Sequence, residues 1–322
     1  MLLRKRIYDE LLVLGALGLH IDKKYNSFEF LGKYGLETIA KYSKIFMQSD
    51  SLTYKRTTKL SDIIDLYYFD MEIRKQIFNA TELFEQTFRQ AMQYVISSKI
   101  SNDYLEYKSD KYLKEKYEYV NKRDHFSDVI TRKNVKKRFR RVKARLNLEN
   151  VTPQNMVDNL YFNQVSEWYY LLEDDIKEYV NRYIAVGILF EEVDNDTGVE
   201  GEVEKIIRLC NGFRNQAAHG GIIFDYYDPA ISVTHNGIYV KGKNVMLSEK
   251  QYHCGLGILI LLTGLIDNKD INQQMCNGIH YALVKYFATH DNMREKILHI
   301  TGIDTLIGLH CPLITTIFDD LI

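Results

Sequence analysis

Residues 60–100 read LSDIIDLYYFDMEIRKQIFNATELFEQTFRQAMQYVISSKI, a stretch without a glycine or a proline. Ile73, Ile77, Phe84, Phe88, Met92, Val95 and Ile96 recur at helical spacing and form one apolar stripe, so the segment is expected to be a long core-facing helix or two in series. Glu82, Glu85 and Arg89 stand beside the stripe at i, i+3 and i, i+4 steps, the pattern of surface ion pairs worth a few tenths of a kcal/mol.

Only three prolines occur in 322 residues. Each proline removes a backbone donor and clashes with the preceding helical turn, so long proline-free stretches favour a mainly α chain. Hydrophobic residues make up 46% and charged residues 26%, which excludes a disordered polymer. The apolar run Leu11–Leu19 follows Arg4, Lys5 and Arg6 but is broken upstream by Asp9 and Glu10, and it reads as a first helix and not a signal peptide. The most apolar later run, 254–266, is too short for the roughly 20 residues that span a bilayer, so no membrane partner is expected. Four scattered cysteines without zinc spacing suit a reducing, cytoplasmic setting.

The 42 Lys+Arg and 43 Asp+Glu sum to −1, which argues against attachment to nucleic acid by bulk charge. The charges are nevertheless segregated. Arg132, Lys133, Lys136, Lys137, Arg138, Arg140, Arg141, Lys143 and Arg145 fall within residues 132–145 without one acid. Helical spacing puts Val135, Phe139 and Val142 on one narrow face of this basic helix, leaving the cations to solvent or to RNA phosphates. Seven acids between Glu191 and Glu204 balance part of that charge; 194–198 reads as an exposed turn, and the spacing does not fit a calcium loop. Further on, His235-Asn236-Gly237 between β-branched residues predicts a small hairpin near 231–247 after the helix that ends at Gly220-Gly221.

Phosphate loops, zinc-protease and nucleophile-elbow motifs are missing from the sequence, and neither cofactor nor metal is expected. One compact polar cluster remains, Arg214-Asn215-Gln216-Ala217-Ala218-His219-Gly220-Gly221. The Arg-x4-His spacing is unspecific by itself, since it recurs at Arg294 and His299, where the surroundings are those of an ordinary helix. Around Arg214 the setting is richer. Asn215 lies four residues before His219 and can hold its imidazole, and the glycines can cap the helix with a left-handed residue. Arg214 supplies a permanently charged fork for phosphate oxygens. These are parts for metal-free RNA cleavage: a base for the 2′-hydroxyl, an acid for the leaving 5′-oxygen and a cation for the phosphorane. One histidine is thin for both proton transfers, and two chains facing each other would be more capable. The same residues also suit a plain helix terminus in which Arg214 and His219 pair with carboxylates or carbonyls.

The blocks at 61–74, continued by Glu82, Glu85 and Arg89, and at Phe213-Arg214-Asn215-Gln216-Ala217-Ala218-His219 resemble the abortive-infection (Abi) family, AbiD/AbiF-like proteins of the HEPN superfamily, over roughly residues 10–225. The resemblance implies an HEPN-type helical bundle with an additional N-terminal helical region. It implies a metal-independent endoribonuclease with Arg214, Asn215 and His219 as site residues. It further implies a homodimer with a composite site, RNA as substrate, and a small RNA or a protein as inhibitor. Family members often carry further His or Arg just after the motif; here Gly220, Gly221 and Ile222 follow, and no tyrosine stands two residues after His219. The expected organisation is an N-terminal helical region (1–130), the basic helix (131–150) and an HEPN-like domain (151–322). A non-catalytic RNA-binding or scaffold protein is the second expectation.

Overall fold

The computed structural model describes residues 2–49, 52–121, 126–184, 199–232, 238–240, 243–245, 253–263, 269–304, 318 and 321. The fold is mainly α. Helices α1 (Leu2–Ala16) and α2 (Ser27–Ser43) precede α3 (Leu60–Val95), the axis of the molecule. At 1.5 Å per residue α3 is about 54 Å long. Every member of the predicted stripe is buried, and Val95 runs into one π-helical turn, Ile96–Ile100.

After α4 (Tyr104–Tyr107) come strands β1 (Lys116–Asn121) and β2 (Phe126–Thr131), an antiparallel pair with Lys116 opposite Thr131. This ribbon lies where only helices were expected. The basic helix α5 (Arg132–Leu146) follows at once. The Thr131 hydroxyl accepts the Asn134 amide at its start, and Asn147 in the left-handed region ends it. As anticipated, Val135, Phe139 and Val142 are the buried face. Phe139 meets the Trp168 ring edge-on at 4.7 Å, and Tyr107 lies 5.6 Å from the same indole. Fully burying one phenylalanine contributes roughly 2–3 kcal/mol, enough to hold a helix otherwise covered in charge.

Helices α6 (Pro153–Asp158), α7 (Phe162–Tyr170) and α8 (Asp174–Ile184) then lead to α9 (Val199–Ala218), the motif helix. α3 packs against α2, α6, α7, α8, α9 and a later helix, α11. Strands β3 (Asp228–Ser232), β4 (Ile238–Val240), β5 (Lys243–Val245) and β6 (His253–Cys254) precede α10 (Leu256–Thr263), α11 (Lys269–Phe287) and α12 (Arg294–Thr301).

The hairpin insertion is present, with a different pairing from the one read at Asn236-Gly237, which lies outside the described residues. β4 pairs with β5, and β3 pairs with β6. Only two residues separate β4 from β5, so closing that pair costs less chain entropy than reaching back to β3. β6 ends at Cys254, and α10 begins directly after Gly255. The expected acidic turn at 194–198 falls outside the described residues. Among the described residues, no helix is long and apolar enough to cross a membrane.

Candidate active site

Two carboxylates on α3 position the motif. Both replace apolar residues on the buried stripe: Asp70 lies between Leu66 and Ile73, and Glu85 beside Phe84 and Phe88. A carboxylate at a core position is tolerated when cations or hydrogen-bond donors compensate its charge.

Glu85 was expected at the surface but is buried, because α9 and the α6–α7 connection cover it. Its Oε1 accepts hydrogen bonds from Nε and Nη2 of Arg89 at 2.8 and 2.6 Å. Its Oε2 lies 2.9 Å from Nε of Arg214. That second contact is an ion pair and not an aligned hydrogen bond, since the N–H does not point along it. Arg89 also donates to the Val157 carbonyl at 2.5 Å and to the Leu160 carbonyl at 3.0 Å. One acid therefore couples two arginines, on α3 and α9, to the end of α6 and the connection that follows it.

Asp70 holds the other end. Its Oδ1 accepts the backbone amides of Ile223 (2.8 Å) and Phe224 (2.9 Å), just past the motif. Its Oδ2 accepts the Tyr42 hydroxyl (2.6 Å) and Nη2 of Arg74 (2.7 Å). Burial, with Asp70 beside it, pushes the Tyr42 phenol well above its ordinary range. Burial likewise raises the neighbouring Asp225 carboxyl.

Between these anchors the chain reverses sharply. Gly221 N–H bonds to the Gln216 carbonyl at 2.8 Å and Gly220 N–H to the Ala217 carbonyl at 3.4 Å, the two bonds of a Schellman cap. Gly220 takes φ = +68°, and a Cβ at Gly221 would sit 1.8 Å from the Gln216 side chain. The predicted glycine stop is thus realised, and His219 stands exposed at the helix end. Its imidazole has no hydrogen-bond or ionic partner among the described residues. The Asn215 amide does not hold it; that amide reaches back toward Asn211 Oδ1 at 3.5 Å. The five-residue spacing turns Arg214 toward α3 and leaves His219 about 140° around the helix.

The second Arg-x4-His pair is structural. Arg294 binds Asp291 and the Leu321 carbonyl, and His299 binds Asp304.

The nine basic residues of α5 divide into two sets. Arg132 and Lys136 pair with Asp110, Arg138 with Glu167. Lys143 lies over the Tyr104 ring, and Arg145 donates to the Asn159 carbonyl. Lys133, Lys137, Arg140 and Arg141 form an exposed stripe without ion pairs among the described residues. The acids that neutralise the first set come from α4–β1 and α7, so the composition of 132–145 gave no sign of them.

Comparison with known families identifies one match: the family model of Abi-like proteins fits residues 29–225, from α2 through both carboxylate anchors to the end of the Schellman cap. The chain belongs to the Abi-like protein family. The match ends at residue 225, before β3 begins at Asp228, so the anchored motif falls inside the matched region and β3–β6 outside it. No curated protein and no solved structure matches the chain.

Proposed function

We propose that this Abi-like chain is an abortive-infection effector of bacteriophage defence, an HEPN-type endoribonuclease that cuts RNA without a metal ion at a site composed from two protomers. The supporting observation is His219: exposed, and without a hydrogen-bond or ionic partner among the described residues, on a helix end that two buried carboxylates fix from either side.

In the reaction an imidazole takes the proton of a ribose 2′-hydroxyl, and the oxygen attacks the adjacent phosphorus. A second proton donor protonates the departing 5′-oxygen, leaving a 2′,3′-cyclic phosphate and a 5′-hydroxyl. The guanidinium of Arg214 offsets charge on the phosphorane, and the ion pair with Glu85 holds that guanidinium beside α3. His219 faces away from Arg214 around the helix, so a second copy of α9 is the natural source of the second imidazole.

Purified protein incubated with labelled total RNA and EDTA, wild type beside His219→Ala, tests this reading. Cleavage by wild type alone supports it; equal cleavage by both overturns it. The exposed stripe of Lys133, Lys137, Arg140 and Arg141 favours a second reading, a non-catalytic RNA-binding protein. That reading requires RNA binding with steep salt dependence and no cleavage by either chain.

A further inference from the structure

A cleft of about 490 Å³ runs between α5 and the start of α7. Arg138, Arg141 and Arg145 line one wall at i, i+3 and i+7, and Tyr161 and Gln164 line the other. We infer that this cleft takes a single strand of RNA, its phosphates on the three arginines and one base on the Tyr161 ring. The inference rests on RNA as the substrate and assigns it a place on the molecule.

The exposure of Tyr161 is the first argument. Its side chain is among the most exposed large hydrophobic groups of the protein, with 77% of the residue accessible, while aromatic neighbours such as Phe162 and Trp168 are buried. The backbone beneath it is rigid. The Tyr161 N–H donates to Gln164 Oε1 at 3.2 Å, and the Tyr161 carbonyl accepts the Gln164 and Val165 amides. An exposed ring on a fixed helix start is a stacking platform, and every base offers it a face.

Charge is the second argument. Arg138 is shared with Glu167 and Arg145 with the Asn159 carbonyl, whereas Arg141 is exposed and has no ion pair among the described residues. Asp158 also lines the cleft, with Oδ1 taken by Gln93 at 3.0 Å. Its negative charge directs phosphates toward the α5 wall, which leaves the α7 wall to the base. Duplex RNA keeps its bases stacked inside and cannot lay one on Tyr161.

The position is the third. Arg145 grips the Asn159 carbonyl from the cleft side, while Arg89 grips the Val157 and Leu160 carbonyls from the side of Glu85 and Arg214. A strand in the cleft would lie against the connection that Glu85 ties to the motif.

The test uses the full chain carrying His219→Ala, so that RNA is not consumed, and a fluorescein-labelled 12-nucleotide single strand or its duplex as probe. Tyr161→Ala is expected to weaken single-strand binding by roughly 5- to 100-fold and Tyr161→Phe to leave it intact. Neither substitution should change duplex affinity. Arg141→Ala should make the slope of log affinity against log salt shallower by about 0.7, the value for one phosphate contact on a single strand. Unchanged single-strand affinity in Tyr161→Ala, or an equal loss for the duplex, would overturn the inference. Because binding is read on a chain without His219, failure of the cleavage proposal and failure of the cleft give different results.

Discussion

Glu85 on α3 and Arg214 on α9 lie 2.9 Å apart, the only ion pair among the described residues that ties the motif arginine to the central helix. The same carboxylate carries Arg89, so its removal leaves two guanidinium groups facing each other in a largely buried space. Glu85→Gln is expected to destabilise the fold by about 3 kcal/mol, as in other broken buried pairs. Combining it with Arg214→Gln should recover part of that loss without restoring cleavage. Urea unfolding of the two single variants and the double variant measures the coupling, which strict additivity would refute.

His219→Ala is expected to separate chemistry from folding. The side chain is exposed and has no partner among the described residues, so stability should stay within about 0.5 kcal/mol of wild type. Cleavage should fall at least about 100-fold, the usual scale for a positioned acid–base group. Thermal unfolding beside an RNA-cleavage time course reads both quantities.

Asp70→Asn keeps an oxygen at Oδ1 and loses the charge that Arg74 and Tyr42 share. Amide hydrogen exchange should quicken at Ile223 and Phe224, the two backbone donors to Asp70, more than at residues of α11. Uniform loss of protection across the protein would assign Asp70 to general stability instead.

Gly220→Ala places a Cβ in the left-handed region. The nearest neighbour of that atom is Arg74 Nη1 at 3.9 Å, so space is adequate and the cost is conformational, roughly 1–2 kcal/mol. A lowered unfolding temperature with the secondary structure intact is the expected result.

Acid sensitivity should include a contribution from Asp62, where α3 begins. Partial burial pushes its carboxyl upward, but the His290 imidazole, with Nε2 3.5 Å from Oδ1, and the Lys59 amide outweigh this and hold it below the ordinary 3.8. A lowered native value means that the contribution is complete above about pH 3.8 and disappears as pH falls through the native value. Acid titrations of wild type and Asp62→Asn followed by circular dichroism should therefore differ at pH 5 and converge at the acid end.

The sequence made some of this legible and not the rest, for definite reasons. The stripe from Ile73 to Ile96 and the Val135–Phe139–Val142 face were readable because a helix repeats its burial every 3.6 residues. The glycine cap was readable because Gly220 stands where a left-handed residue must. Glu85 was misplaced because Arg89, four residues on, already accounted for it, and nothing local announced Arg214. An acid at a core position of an apolar stripe was the available signal, for Asp70 as for Glu85. The partners of α5, Asp110 and Glu167, and the strand pairing of β3–β6 depend on tertiary proximity, which neither spacing nor composition encodes.

The bonds from Asp70 to Ile223 and Phe224 span 153 and 154 residues of chain. On the ribosome, α3 is made long before its partners. At about 5–20 residues per second the interval is roughly 8 to 30 s. During that time the framework of the site exists without its motif. The carboxylate frame is thus laid down first, and the motif is fitted to it only once Phe224 has emerged, with the hairpin insertion and the last helices still to be made.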